Sequence, residues 1–479
     1  MTATTVSAPQ AFLASAKSLL GEKGFTQDAD TIEPWLTDWR GRYTGRALGL
    51  ASPASTAEVA ALMALCNEHR IPVVPQGGNS GMAGGATPDE SGEGILLSLR
   101  RMNAIRSLDV GAAQVVCEAG VILQTLHEAT EEHGLRFPLT LGGKGSATIG
   151  GLISTNAGGT QVLRYGTMRA QVLGLKAVLA DGRVFDALTV LKKDNRGFDL
   201  KQLLIGSEGT LGVVTAATLR LLPLPRSRVT AWVGLSSVID ARTLLRQSQT
   251  SLGEALEGFE VVPAHCLQSV LAHLPNARSP LVQTHAWNAL IECTSPSEDA
   301  GALRARLEAA LESALEAGLI ADAAIAANEA QAEQFWTLRD SISPAERALG
   351  PAMQHDISVP VERMPEFILA AIPIVEDEFP GTTGAAFGHL GDGNVHFHVL
   401  APADAVAGQW EEEEGHRISA RVHDLVTQCG GSISAEHGIG QMKVAELGRL
   451  GDPVALSMMR AVKTALDPHD LLNPGKLVP

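Results

Sequence analysis

Four glycine-rich segments between Pro75 and Gly212 set the strongest limit on what the first half of this chain can build. The first runs Pro75-Gln76-Gly77-Gly78-Asn79-Ser80-Gly81 and on to Gly85. The second, Gly142 to Gly151, contains Gly145, Ser146, Ile149 and Gly150; the third is Asn156-Ala157-Gly158-Gly159; the fourth is Gly206-Ser207-Glu208-Gly209-Thr210-Leu211-Gly212, followed by Val213. Glycine at this density lets backbone N–H groups converge on an anion without interference from Cβ, and the Ser and Thr hydroxyls add donors. A diphosphate is the guest such loops suit. None of them satisfies G-x-G-x-x-G, so the Rossmann fingerprint is absent and a nicotinamide enzyme loses its main support.

The 479 residues allow two or three domains, and 45% apolar content is ample for their cores. A formal charge of −16 repels phosphate backbones and anionic lipid, which argues against nucleic acid or a membrane surface as partner. No stretch approaches 18 consecutive apolar residues, so no transmembrane segment is expected. Met1 to Leu20 has neither a basic start nor a continuous apolar run, and no secretory signal is expected. Cys66, Cys117, Cys266, Cys293 and Cys429 stand singly, without the C-x-x-C pairs of a zinc or iron–sulfur site. Free thiols in a reducing compartment follow, and the sequence predicts a cytoplasmic protein.

Helical spacing from Ser55 to Arg70 leads into a short strand, Ile71 to Pro75, and so into the first glycine loop. Ile95 to Leu99 and Val115 to Glu118 read as strands, Leu123 to Glu132 as a helix, and Leu173 to Phe185 as a hairpin turning at Asp181-Gly182. Pro223, Pro225 and two arginines break the pattern and mark a domain boundary. After it come a helix over 242–256, a strand over 286–292, an Ala-rich helix over 302–317, and a glycine- and histidine-rich stretch from Thr383 to Gln441.

Within that stretch, Asp392-Gly393 is a strong type I′ turn signal. A two-residue hairpin about it pairs His389 with His396, bringing two imidazoles close enough to share one metal ion, with His398 on the same face. A third ligand is available from Ser434-Ala-Glu-His-Gly-Ile-Gly440, where Glu436 and His437 are adjacent and flanked by glycine. Two histidines and a carboxylate leave an open position, as in a catalytic zinc site, with Mn²⁺ or Co²⁺ as alternatives. The bland alternative for Glu436 is a solvated acidic loop.

The order of the glycine segments resembles the FAD-binding domain of the vanillyl-alcohol oxidase and para-cresol methylhydroxylase type. Gly388 to His396, Ala435 to Gly440, Leu472 to Lys476, and the run from Lys192 to Gly212 further resemble the FAD-dependent D-2-hydroxy acid dehydrogenases, which act on D-2-hydroxyglutarate, D-lactate or glycolate. The resemblance implies an α+β fold. Its parts are a PCMH-type FAD-binding domain over 1–225 with its core at about 40–222, an α+β cap domain with an antiparallel sheet over 226–440, and a C-terminal segment, 441–479, that returns to the first domain with Asn473 near the flavin. It also implies that the four glycine segments, with Pro75, Gln76, Ser80, Ser146, Ile149, Asn156, Glu208 and Val213, bind FAD. Asn79 stands where covalent members of the superfamily carry histidine, so non-covalent FAD follows.

By the same resemblance Trp336 to Ser343 is the substrate-binding helix, with Arg339 clamping a carboxylate. Ser343, one turn on, lies on the same face. Gln354 stands where relatives carry lysine, which removes a positive charge from the expected pocket, and His398 stands where the D-2-hydroxyglutarate branch often has asparagine. The expected reaction takes D-2-hydroxyglutarate to 2-oxoglutarate, with hydride passing to flavin N5, His437 as the base, and electrons leaving to electron-transfer flavoprotein or quinone. D-lactate is the alternative substrate. A metallohydrolase is the alternative of another class, and a catalytically quiet electron-transfer subunit is a third. The oligomeric state, with a homodimer as the candidate, is not read from the sequence.

Overall fold

The computed structural model describes residues 8–191 and 193–479; the start of the N-terminal reading, Met1 to Ser7, and Lys192, which opens one of the family-like runs, lie outside them. The chain divides into two compact units. One comprises the described residues up to Gly159, Tyr165–Pro223 and Glu436–Pro479, and the other Thr160–Arg164 and Leu224–Ala435. The sequence boundaries at 225/226 and 440/441 are thus displaced, and a short strap, Thr160–Arg164, is transferred to the second unit. The strap belongs there because Gln161 and Arg164 both hydrogen-bond the buried carboxylate of Glu257, at 3.1 and 3.3 Å.

In the first unit, β1 (Phe25–Thr26), β2 (Leu50–Ala51), β3 (Val73–Gln76) and β4 (Ile95–Ser98) form a sheet in the order β1-β2-β4-β3, with β2, β4 and β3 parallel. The helix Thr56–His69 feeds β3, as its spacing predicts. Ser55 caps its N-terminus, and Val59, Leu62, Met63 and Cys66 are its buried face. A second sheet is antiparallel, with β5 (Ile105–Asp109), β6 (Gln114–Glu118), β8 (Val172–Val178), β9 (Val184–Ala187) and β10 (Val213–Arg220) in the order β5-β6-β10-β8-β9. β8 and β9 are the expected hairpin, with Gly182 in the left-handed region at φ 85°. β7 (Leu135–Arg136) pairs with β11 (Leu222–Pro223) in a two-stranded sheet.

The second unit is built on one seven-stranded antiparallel sheet. It contains β12 (Ser227–Leu235), β13 (Leu256–Pro263), β14 (Trp287–Ser295), β15 (Asp322–Ile325), β16 (Ala352–Ser358), β17 (Thr383–His389) and β18 (Asn394–Leu400), in the order β15-β12-β14-β13-β17-β18-β16. Strand residues alternate between faces. Val229, Ala231, Val233, Phe259, Val261, Ile291, Val395, Phe397 and Val399 line one face, packed in a single core with the helices Val238–Leu252, Ala300–Glu316, Met364–Glu378 and His416–Gln428. On the other face Trp232, Val262, Leu290, Ala385 and Phe387 pack with the helices Ala264–His273, Glu329–Asp340 and Ile342–Leu349. That second face also carries Glu260 of β13, Gln354 and Asp356 of β16, His389 of β17 and His396 and His398 of β18.

Candidate active site

The four glycine segments converge within the first unit. β3 ends at Gln76, whose side-chain Nε2 donates to the carbonyls of Trp35 and Ala86 and so ties the start of the first loop to the residue just past its end. A Cβ on Gly78 would stand 1.7 Å from the carbonyl oxygen of Ser146, so only glycine lets the first and second segments touch. The N–H groups of Gly206 and Glu208 donate to the carbonyls of Ile153 and Ser154, which joins the fourth segment to the helix Ile149–Thr155 just before Asn156. Asn473 closes the ring, donating to the carbonyls of Gly85 and Glu208.

Three observations make this cradle fit a diphosphate-bearing cofactor. Gly81, Gly142 and Gly145 have no protein atom within 4 Å of a notional Cβ, so their backbone is open to a ligand. The buried side-chain oxygens of Gln76 and Asn473 have no hydrogen-bond partner. Asn79, Asn156, Glu208 and Asn473 all hold φ near +50°, a strained conformation that gathers at functional sites. Several predicted residues are also committed to protein contacts. Gly150, Gly159 and Gly212 meet protein atoms within 3 Å of a notional Cβ and serve packing, Asn79 donates to the carbonyl of Thr37, and the Glu208 carboxylate accepts from the N–H groups of Ile439 and Gly440.

On the second unit's polar face His389 and His396 stand together, with ring centroids 5.4 Å apart. The register differs from the sequence reading: His389 opposes Asn394, and His396 opposes Phe387. A type I′ turn needs positive φ at both central residues, and only Gly393 has it. Instead a four-residue connection, Leu390 to Gly393, closes through the His389 carbonyl, which accepts from Asp392 and Gly393 N–H, while the Asp392 carboxylate accepts from Asn394 N–H. The pairing is shifted by two residues, which preserves the face. His398 is therefore on the same side, its ring 6.4 Å from that of His396.

Around these histidines lie acids to which the sequence reading gave no role. Glu260 on β13, 1% exposed, bridges His389 Nδ1 at 2.5 Å and Arg339 Nε at 2.8 Å. Burial opposes its ionisation, but Arg339 and His389 outweigh that and hold it down at about 2. Glu346, also buried, takes His398 Nδ1 at 2.5 Å. Asp356 accepts from Asn394 Nδ2 at 2.8 Å and lies 4.0 Å from His396 Nδ1. Burial, then the positive charge of Arg339, pushes the His396 imidazole well below its usual pKa, so the ring is neutral, the form that binds metal. A charged residue set between Phe259 and Val261 in an apolar strand was a readable signal for Glu260. Its partner, 79 residues away, was not.

Arg339 is thus engaged by Glu260 and 3.2 Å from His389 Nε2. Ser343 is not on the same helix face. The helix Glu329–Asp340 ends before Ser341, and a new helix, Ile342–Leu349, begins after it. Pro344 is the cause, because its ring would collide with the Asp340 carbonyl in a continuous helix. Gln354 lies opposite His398 in the register, and its Nε2 is buried without a hydrogen-bond partner. Glu436 and His437, both half-buried, belong to the first unit, on the segment that Glu208 holds.

Comparison with known proteins matches residues 47–187 to an FAD binding domain and residues 224–477 to the C-terminal domain of FAD linked oxidases. A protein of Oryza sativa subsp. indica named probable D-2-hydroxyglutarate dehydrogenase, mitochondrial, is 40% identical over 97% of this chain and 81% of its own length. The D-2-hydroxyglutarate dehydrogenase, mitochondrial, of Arabidopsis thaliana is 37% identical over 97% and 80%. The solved structure of p-cresol methylhydroxylase with substrate bound shares the fold, with a TM-score of 0.73 at 16% identity over 98% of this chain and 96% of that one. These matches support an oxidoreductase and leave the metallohydrolase reading without support. The expected cytoplasmic location is overturned, since these relatives are named mitochondrial, and a sequence without an evident leader was too little to fix a compartment. Among the described residues no helix is long and apolar enough to cross a membrane.

Proposed function

The chain belongs to the FAD-linked oxidases that include the D-2-hydroxyglutarate dehydrogenases, and on that footing we propose that it oxidises D-2-hydroxyglutarate to 2-oxoglutarate at the polar face of β13, β16, β17 and β18. The observation that carries this reading is the Arg339–Glu260–His389 chain beside a neutral His396. It offers a guanidinium for the substrate carboxylate and two imidazoles for a divalent metal.

Glu260 fixes the His389 ring through Nδ1, the outer hydrogen bond that metal-binding histidines commonly make. Glu436 would complete the ligand set. Its neighbour Ala435 donates its N–H to the carbonyl of Asp356, and Asp356 lies opposite His396 in the register. Such a metal, whether Zn²⁺, Mn²⁺ or Co²⁺, would supply Lewis acidity to the substrate hydroxyl. FAD, bound non-covalently since Asn79 offers no histidine, supplies the two-electron acceptor at flavin N5. His437 takes the hydroxyl proton. Electrons leave to an external acceptor, electron-transfer flavoprotein or quinone.

Gln354 supports a second reading, because a neutral amide gives a distal carboxylate no charge assistance, which favours D-lactate. Anaerobic bleaching of the flavin by D-2-hydroxyglutarate, D-lactate, D-malate and glycolate, each with and without a chelator, tests both. Chelator-sensitive bleaching fastest with D-2-hydroxyglutarate is expected. A preference for D-lactate would select the second reading, and no bleaching by any of the four would refute both. His437→Ala should abolish flavin reduction while FAD stays bound, and His389→Ala should lose metal and activity together.

A further inference from the structure

From the first unit's geometry we infer that Glu208, which the family resemblance assigns to the cofactor, is instead a positioning residue for the segment that carries Glu436 and His437. Its carboxylate oxygens accept hydrogen bonds from the backbone N–H groups of Ile439 at 2.7 Å and Gly440 at 2.8 Å. Gly438 and Gly440 have φ of 77° and 54°, so the two donors turn inward and enclose the carboxylate as a small anion nest. A Cβ on Gly438 would lie 2.8 Å from Glu208 Oε1, so the chain beside His437 rests directly on that oxygen.

The backbone of Glu208 is equally committed. Its N–H donates to the Ser154 carbonyl at 2.7 Å and its carbonyl accepts from Asn473 Nδ2 at 2.7 Å, while its φ of 51° is a strained value for a residue with a side chain. Glycine would take this φ at no cost, so the strain is held in exchange for a carboxylate at this point. Glu208 therefore sets where Glu436 and His437 stand relative to the fourth glycine segment. It acts on catalysis through them without touching substrate.

This inference rests on the roles proposed for Glu436 and His437, and its test separates the two. Flavin reduction by D-2-hydroxyglutarate in the unaltered protein tests the function. Glu208→Gln and Glu208→Gly then test the inference. Both are expected to retain stoichiometric FAD and a near-normal melting temperature while kcat falls about 10- to 100-fold with KM little changed, the scale of a misplaced catalytic group. Formate at tens of millimolar should restore part of kcat in Glu208→Gly, by refilling the nest, and none in Glu208→Gln. Loss of FAD in parallel with activity would return Glu208 to the cofactor and overturn the inference. So would an unchanged kcat, or a fallen kcat that formate does not raise in the glycine variant.

Discussion

Replacing Glu260 by glutamine keeps the shape of the side chain and removes the charge on which two buried groups depend. The carboxylate is 1% exposed and Arg339 12%, so little solvent screens the pair, and His389 draws on the same carboxylate from 2.5 Å. Removing one partner of a buried ion pair costs about 3–5 kcal/mol, because the remaining charge stays desolvated. For a unit of this size each kcal/mol moves the midpoint roughly 2–4 °C, so the transition of the second unit should fall by about 6–20 °C. The loss should depend on pH. The folded carboxyl titrates near 2 against a reference of 4.5, so its stabilisation is complete above the reference value and fades as pH falls toward 2. Glu260→Gln should therefore flatten the acid limb of the stability profile as well as lower the plateau. Calorimetry of the FAD-loaded protein from pH 3 to 8 reads both effects. An unchanged midpoint at pH 7 would show that Glu260 is not the counter-charge of Arg339, and the proposed carboxylate clamp would lose its support.

Gly78→Ala should empty the cofactor cradle, because the new methyl would lie 1.7 Å from a backbone oxygen that cannot move aside cheaply; bound FAD per chain measures it, and full FAD content would count against the convergence of the first two glycine segments. Gln354→Lys should lower KM for D-2-hydroxyglutarate about tenfold while changing D-lactate turnover little, since only the five-carbon substrate has a second carboxylate to receive the charge; equal effects on both would place Gln354 elsewhere. His127 is buried with Nε2 3.0 Å from the Leu139 carbonyl, and burial depresses its pKa below 6.5. The unfolded chain thus takes up a proton first as pH falls, and stability should decline below about pH 6.5. His127→Gln should weaken that decline in denaturant titrations at several pH values.

Much of the site was legible because side-chain parity survives local error. The turn at Asp392-Gly393 was misassigned, since Asp392 keeps negative φ and uses its carboxylate to cap Asn394, yet a two-residue shift leaves His389, His396 and His398 on one face. A one-residue error would have separated the first two. The helix break at Ser341 is readable from Pro344, whose ring cannot continue the preceding helix. What could not be read were partners distant along the chain. Glu260 meets Arg339 across 79 residues and Glu346 meets His398 across 52, and nothing local in either acid's surroundings names the other group. For Glu208 the resemblance names the cofactor's neighbourhood, while the backbone nest its carboxylate fills points to the positioning task inferred above, since a glycine-flanked acid reads alike whether it faces a ligand or a backbone nest.

The return of the chain to its first unit has a consequence for how the protein is made. β3 precedes the first glycine loop, yet Val73 forms a bridge with Leu472, its N–H bonding the Leu471 carbonyl and its own carbonyl receiving Asn473 N–H. The ring around the glycine segments is likewise closed by Asn473. During synthesis the parallel sheet and the cradle must therefore wait, incomplete, while the whole seven-stranded unit emerges from the ribosome and becomes free to fold. The segments encoded first are finished late, and cofactor capture is expected to follow the emergence of Leu471 to Asn473.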